Sequence, residues 1–190
     1  MPIQVDVGQR RTDIAEATFR VAAHEGLGAV TIRSVAAELG SSTTVITNYL
    51  PTRTELLANA IDRLADEWLT ELDALSADGD PAEALRRVME AAVSWDDDEL
   101  LRCQFWVAVL SEPNRSSEVQ RQLIEAAESV RVVLEKLAEQ CGHPKPSAAA
   151  DLLFLFAQGA FASIVEAPTR WTADRLRAAA RAMVEAVATG

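Results

Sequence analysis

Apolar residues recur along this chain at the three-and-four spacing of amphipathic helices, and no stretch sustains the alternation of a half-buried strand. The clearest case is Ile32, Val35, Ala36 and Leu39, which form one stripe on one helix face. Thr31 precedes it, and a threonine hydroxyl there can accept the free backbone N–H groups of a first turn. Gly40 closes it, where a left-handed residue ends a helix at no steric cost. A second, shorter helix is predicted over Thr43 to Tyr49, capped by Ser42 and stopped by Pro51. Its inward positions are Val45, Ile46 and Tyr49 or Leu50. Its outward positions are Thr43, Thr44, Thr47 and Asn48. Thr52-Arg53-Thr54-Glu55 then reads as a capping box for a long helix.

That long helix carries Leu56, Leu57, Ile61, Leu64, Trp68 and Leu72 and should end near Ala74 to Asp78. Asp80-Pro81-Ala82-Glu83 is a second capping box, with proline at the first helical position of a helix that runs to about Val93. Asp96 to Glu99 opens another helix, containing Leu100 to Leu110, because acidic residues at a helix start complement its macrodipole. The same acidic run could instead wall a site for a cationic ligand. A helix of roughly Ser117 to Gln140 follows the loop Glu112-Pro113-Asn114, and Gly142 to Pro146 breaks it. Two apolar, Ala-rich helices close the chain, about Ser147 to Glu166 and Thr172 to Ala188, split at Pro168. Such a pair is too apolar to leave exposed, so burial against a symmetry mate is expected, with packing inside one chain as the alternative. Leu152, Phe156, Gly159, Leu176, Ala179 and Met183 are the candidate dimer contacts.

The helix, glycine turn and short polar helix between Thr31 and Pro51 have two readings. One is an ordinary helical hairpin with two caps. The other is a helix-turn-helix, whose second helix enters the major groove of DNA while the first crosses the backbone. Hydroxyls and an amide on the outward face can bond phosphates or base edges, and threonine methyls can touch the thymine methyl. Arg53 lies just past the short helix, and Arg10 and Arg11 lie ahead of the first helix, so all three are candidate phosphate contacts.

The order of residues favours the second reading. RRTDIAEATFRVAAHEG, starting at Arg10, followed by TIRSVAAELGSSTTVITNYLPTRTELL, starting at Thr31, resembles the N-terminal domain of TetR-family repressors. Arg10, Arg11, Ile14, Ala17, Gly26, Thr31, Ile32, Val35, Ala36, Gly40, Ser42, Asn48, Tyr49, Pro51, Arg53, Glu55 and Leu56 carry the match, over about residues 9 to 57. The resemblance implies an all-α fold of about nine helices. Three N-terminal helices bind DNA, over residues 1–53, and a helical domain over residues 54–190 dimerises and holds a ligand. It implies DNA contacts from Arg10, Arg11, Thr31, Arg33, Ser42, Thr43, Thr44, Thr47, Asn48, Tyr49 and Arg53. The chain departs from the family pattern at three places: Leu50 and Thr47 stand where aromatics are common, and Arg53 replaces a common Lys. Operator preference therefore does not carry over.

Charge changes the picture only through its distribution. The formal net charge is −11, which alone argues against a nucleic-acid partner. Residues 1–53 nevertheless carry five Arg and five Asp/Glu, so all the excess acidity lies beyond them. A neutral head must rely on dimerisation and a few well-placed arginines, and its affinity should fall steeply with salt. Hydrophobic residues make up 49% of the chain, enough for a sizeable core. Cys103 and Cys141 have no framework spacing, no leader opens the chain, and no apolar run is read as long enough to span a membrane. The expectation is a cytoplasmic protein with reduced thiols and no membrane partner.

No catalytic constellation, metal site or cofactor motif stands out. His24 and His143 are the only histidines, and Cys141 with His143 makes at most half a metal site. Aromatic residues past residue 57 can fill core or line a pocket. Trp68, Met89, Trp95, Cys103, Gln104, Trp106, Phe154 and Gln158 offer the apolar lining with a few polar groups that a small-molecule site needs. An apolar or aromatic effector is expected first and a cationic one second, since indole faces attract cations. The preferred reading is a homodimeric repressor that leaves double-stranded operator DNA on binding a small molecule. An enzyme acting in the helical pocket and a helical protein-interaction module are the rivals.

Overall fold

Each segment with helical spacing is a helix in the computed structural model, which describes residues 7–77 and 79–188. The described residues form nine α-helices and no strand: α1 (Val7–Glu25), α2 (Ile32–Glu38), α3 (Thr43–Thr47), α4 (Arg53–Ser76), α5 (Pro81–Ala91), α6 (Asp97–Ser111), α7 (Ser117–Gln140), α8 (Pro146–Glu166) and α9 (Ala173–Ala188). A 3-10 turn, Leu27–Ala29, joins α1 to α2. The protein is all-α. Two boundaries differ from expectation. Helix α1 begins at Val7, so Arg10 and Arg11 lie inside it rather than ahead of it. Helix α3 stops at Thr47, because the backbone tightens to an i→i+3 bond from the Tyr49 N–H to Ile46 O (3.0 Å) before Pro51. Asp78, the outer limit expected for α4, lies outside the described residues.

The helices form two compact units. One joins the chain up to Asp66 with Leu101–Ile124; the other joins Glu67–Leu100 with the chain from Glu125 onward. Compactness thus divides the chain elsewhere than after residue 53, since the first part of α4 packs with the N-terminal helices.

In the first unit, α1 buries Ile14, Ala15, Ala17, Phe19 and Val21, and α2, α3 and α4 bury Val35, Ile46, Leu56 and Ile61. Phe105 of α6 meets Phe19 edge to face, with ring centroids 5.1 Å apart. Arg102 pairs with Glu16 at 3.0 Å and lies over the Phe19 ring. In the second unit, Leu72, Leu85, Val88, Met89, Leu134, Leu153, Leu176, Ala180 and Val184 form one core, with α9 packed on both α5 and α8. Glu90 joins α5 to α9 by accepting from Arg181 at 2.6 Å and from Arg86 at 2.6 Å.

Candidate nucleic-acid interface

The candidate face is built by caps at both ends of α2 and at the start of α3. Thr31 and Ser34 exchange bonds at the start of α2: Ser34 N–H donates to Thr31 Oγ1 (3.0 Å) and Thr31 N–H donates to Ser34 Oγ (2.9 Å). The far end closes on Gly40, at φ 60, with Ser41 N–H donating to Ala36 O (2.8 Å) and Gly40 N–H to Ala37 O (3.0 Å). These two bonds need a left-handed residue at the turn, which glycine alone adopts without strain. Ser42 then caps α3 through its Oγ and the Val45 N–H (3.3 Å). Ile46 is fully buried and Leu50 nearly so, while Val45 and Tyr49 are half-buried.

Ser42, Thr43, Thr44, Thr47 and Asn48 are all exposed, as are Thr31 and Arg33 on the side of α2. One short helix thus buries a single isoleucine and turns three hydroxyls and an amide outward. Among these, Thr47 Oγ1 donates back to Thr44 O at 3.2 Å.

Arg10, Arg11 and Arg53 each have a partner within the chain. Arg10 lies 3.9 Å from Asp13, one turn on along α1. Arg11 Nε donates to Asn59 Oδ1 (2.9 Å), and Asn59 Nδ2 donates to Arg11 O (2.9 Å), which satisfies the buried Asn59 amide. Arg53, expected at a phosphate, turns inward instead: Nε donates to Val30 O (3.1 Å) and Nη2 to Leu27 O (3.0 Å). Leu27 O also accepts from the Val30 N–H (3.2 Å), so the guanidinium is a second donor to that carbonyl. No local sequence signal marks this contact, because its partners lie 23 and 26 residues away. Near Arg11, Asp62 accepts from Gln122 (3.1 Å), and burial, then Asp66, push its carboxyl above the usual range.

The residues expected around an effector fall in both units. Trp68, Met89, Trp95, Phe154 and Gln158 belong to the second, and Cys103, Gln104 and Trp106 to the first. Met89 is core, with 1% exposure, and Cys103 is buried. Trp95 precedes α6, the helix that carries Trp106, and its ring meets Phe161, a residue not singled out, at 5.9 Å. The acidic run does start α6: Asp96 N–H donates to Glu99 Oε2 (2.7 Å) and Glu99 N–H to Asp96 Oδ1 (2.8 Å). The carboxyl of Glu71 is raised by burial and then by Glu99. Among the described residues, no group of three His, Cys, Asp or Glu side chains could hold a metal ion.

On α8 and α9 the candidate dimer contacts also separate. Leu152 and Gly159 are exposed, and Phe156, Ala179 and Met183 are half-buried. Leu176 is core within its own chain, at 2% exposure, because it faces the packed side of α9. Leu155, one turn on from Leu152 and 64% exposed, was missed; its i+3 spacing from Leu152 was the available signal. Helix α8, 21 residues with an 18-residue window of mean hydropathy 1.7, is by length and composition long and apolar enough to cross a membrane, which corrects the reading that no run reaches that length.

No family model matches the chain. The HTH-type transcriptional regulator PksA of Bacillus subtilis (strain 168) is 33% identical over 110 residues, 57% of this chain and 53% of that protein. The match thus spans about half the length of that relative. Solved structures with this fold include TetR-family transcriptional regulators. A transcriptional regulator from a Rhodococcus species superimposes with TM-score 0.87 at 24% identity, over 95% of this chain and 96% of that one. Two others hold small molecules. A Saccharomonospora viridis protein described as a transcriptional regulator was solved with choline (TM-score 0.81, 19% identity, 94% of this chain and 96% of that one). The SmeT–triclosan complex aligns with TM-score 0.77 at 19% identity, over 94% of this chain and 90% of that one. The similarity to TetR-family regulators therefore reaches well beyond residues 9–57, to the fold of nearly the whole chain.

Proposed function

We propose that this chain is a TetR-family transcriptional regulator that binds operator DNA as a homodimer and responds to a small molecule. The observation that carries this reading is α3: a helix with Ile46 fully buried and Thr43, Thr44, Thr47 and Asn48 exposed, set across a glycine turn from α2. A helix docking on protein would present apolar anchors there. Hydroxyl and amide groups suit base edges and phosphates instead. In this reading Arg10, Arg11, Arg33 and Tyr49 contact the DNA backbone and α3 reads bases. The protein acts in the cytoplasm and catalyses no reaction.

The exposed apolar side of α8 supports a homodimer, with Leu152, Leu155 and Gly159 facing the mate. Two DNA-binding heads then engage two half-sites about one helical turn of DNA apart. The effector favours an arrangement of the heads that does not match the operator, and by linkage operator and effector weaken each other equally. The triclosan and choline held by proteins of this fold match the two effector classes expected from the sequence, apolar aromatic and cationic. Trp95 and Phe161 suit either.

The direct test is capture of genomic fragments by the purified protein, followed by footprinting of those recovered. A protected site with two related halves is expected. A protein that recovers no fragment above background at low salt would sink the proposal.

A further inference from the structure

We propose that Arg53 positions the recognition helix by clamping the start of α4 to the turn that begins α2, and does not serve as a phosphate contact. The inference rests on the DNA-binding role proposed above.

The geometry is specific. Two donors of one guanidinium, Nε and Nη2, reach two carbonyls of one turn, Val30 O at 3.1 Å and Leu27 O at 3.0 Å. Val30 is fully buried and Leu27 nearly so. Val30 is also the residue immediately before Thr31, which caps α2. Ser34 Oγ reaches the carbonyl between them, Ala29 O, at 2.7 Å. Leu27 O, Ala29 O and Val30 O are thus each held by a side chain from α2 or α4, and Arg53 is the one that comes from α4.

Helix α3 gives this clamp its consequence. It has five residues, too few to hold a helical shape or an orientation alone. Its place is set by its flanks, the Gly40 turn behind it and the start of α4 after Pro51 and Thr52. Arg53 fixes the distance between the start of α2 and the start of α4, and so the frame in which α3 sits. The residue type follows from this role. A phosphate contact needs one positive charge within reach, which lysine supplies. Two carbonyls at fixed positions need two donors in a rigid fork, which lysine lacks.

The test compares the wild type with Arg53→Lys and Arg53→Ala on a duplex that the wild type selects from a randomised pool, and on a scrambled duplex. Folding is checked by circular dichroism at the assay temperature. Both variants should bind the selected duplex at least about tenfold more weakly, as expected when bonds from a charged donor are lost. Binding to the scrambled duplex and the salt slope should not change, because no phosphate contact is lost. A residue that only stabilised the fold would leave the ratio of selected to scrambled affinity untouched in a folded variant. Full binding by Arg53→Lys, with a salt slope lowered by about 0.9 in Arg53→Ala, would make Arg53 a phosphate contact and overturn the inference. A second measurement needs no variant: the Arg53 Nε–H resonance of the wild type should exchange slowly with water and stay unshifted when DNA is added. Fast exchange, or a large shift on DNA, would also overturn the clamp. A wild type that selects no duplex removes this inference together with the proposed function, whereas the other adverse results remove the inference alone.

Discussion

Thr44, Thr47 and Asn48 show what was legible at the scale of single residues. Their position opposite Val45 and Ile46 predicted exposure, and all three are exposed. Thr44→Ala, Thr47→Ala and Asn48→Ala should each weaken operator binding by about 1–3 kcal/mol while the thermal midpoint stays unchanged. Gel-shift titration of the three variants checks this, and three unchanged affinities would remove α3 from the interface. Charged side chains were less legible, because their partners are distant in sequence. Arg11 meets Asn59 and Arg53 meets Leu27 and Val30, contacts that only the fold creates. Asp62 belongs to the same class. Burial, then Asp66, raise its carboxyl above the ordinary value of 3.8, outweighing Arg11 and Arg121. A raised folded value favours the protonated form. The associated stability is present at acid pH and is lost as pH rises through the folded value. Asp62→Asn should therefore stabilise the protein at neutral pH, with the gain vanishing near pH 4 and below. Chemical denaturation of the pair across pH tests the sign, and a variant less stable at pH 7 would refute it.

At the scale of elements, caps were the most reliable guide. Thr31, Gly40, Ser42 and Asp80 mark the ends expected of them, because each satisfies a specific backbone group within a few residues. The start of α1 was read too late, with Arg10 and Arg11 placed ahead of a helix that already contains them. Gly40→Ala should lower stability by about 1–2 kcal/mol, the cost of placing a side chain at a left-handed residue. An unchanged denaturation midpoint would mean that the turn relaxes without loss. Packing between distant elements left no mark in the sequence, and Glu90 is an instance. Bonds from Arg181, then Arg86, hold its carboxyl below the ordinary value of 4.5. A lowered folded value contributes stability above pH 4.5 and loses it as pH falls through the folded value. Glu90→Gln should thus destabilise the wild-type fold modestly at pH 7, by less than about 1 kcal/mol because both arginine partners reach solvent. The difference should shrink towards pH 4. A difference that is constant with pH would assign the effect to packing rather than charge.

At the scale of the whole molecule, helical spacing and composition gave an all-α chain, and the apolar character of α8 and α9 raised burial against a second copy, with packing inside one chain as the alternative. Which residues stay uncovered was not legible, because α8 is apolar on more than one side. Leu176 had the same claim to an interface as Leu152, yet α9 turns it into its own core. The helix faces decide: Leu152 at 53% and Leu155 at 64% exposure remain outside on α8, with Gly159 one turn further along. Two exposed leucines with a neighbouring glycine let another helix approach closely, and the centre of such an interface excludes charge. Leu155→Glu should therefore give a folded monomer, with helicity kept because the side chain already faces solvent in one chain. Sedimentation at micromolar concentration should show a dimer for the wild type and a monomer for the variant. Operator affinity should fall with dimer loss, since each head would then engage one half-site alone. A variant that stays dimeric would place the interface on another face, and a monomeric wild type would remove the homodimer from the proposed function.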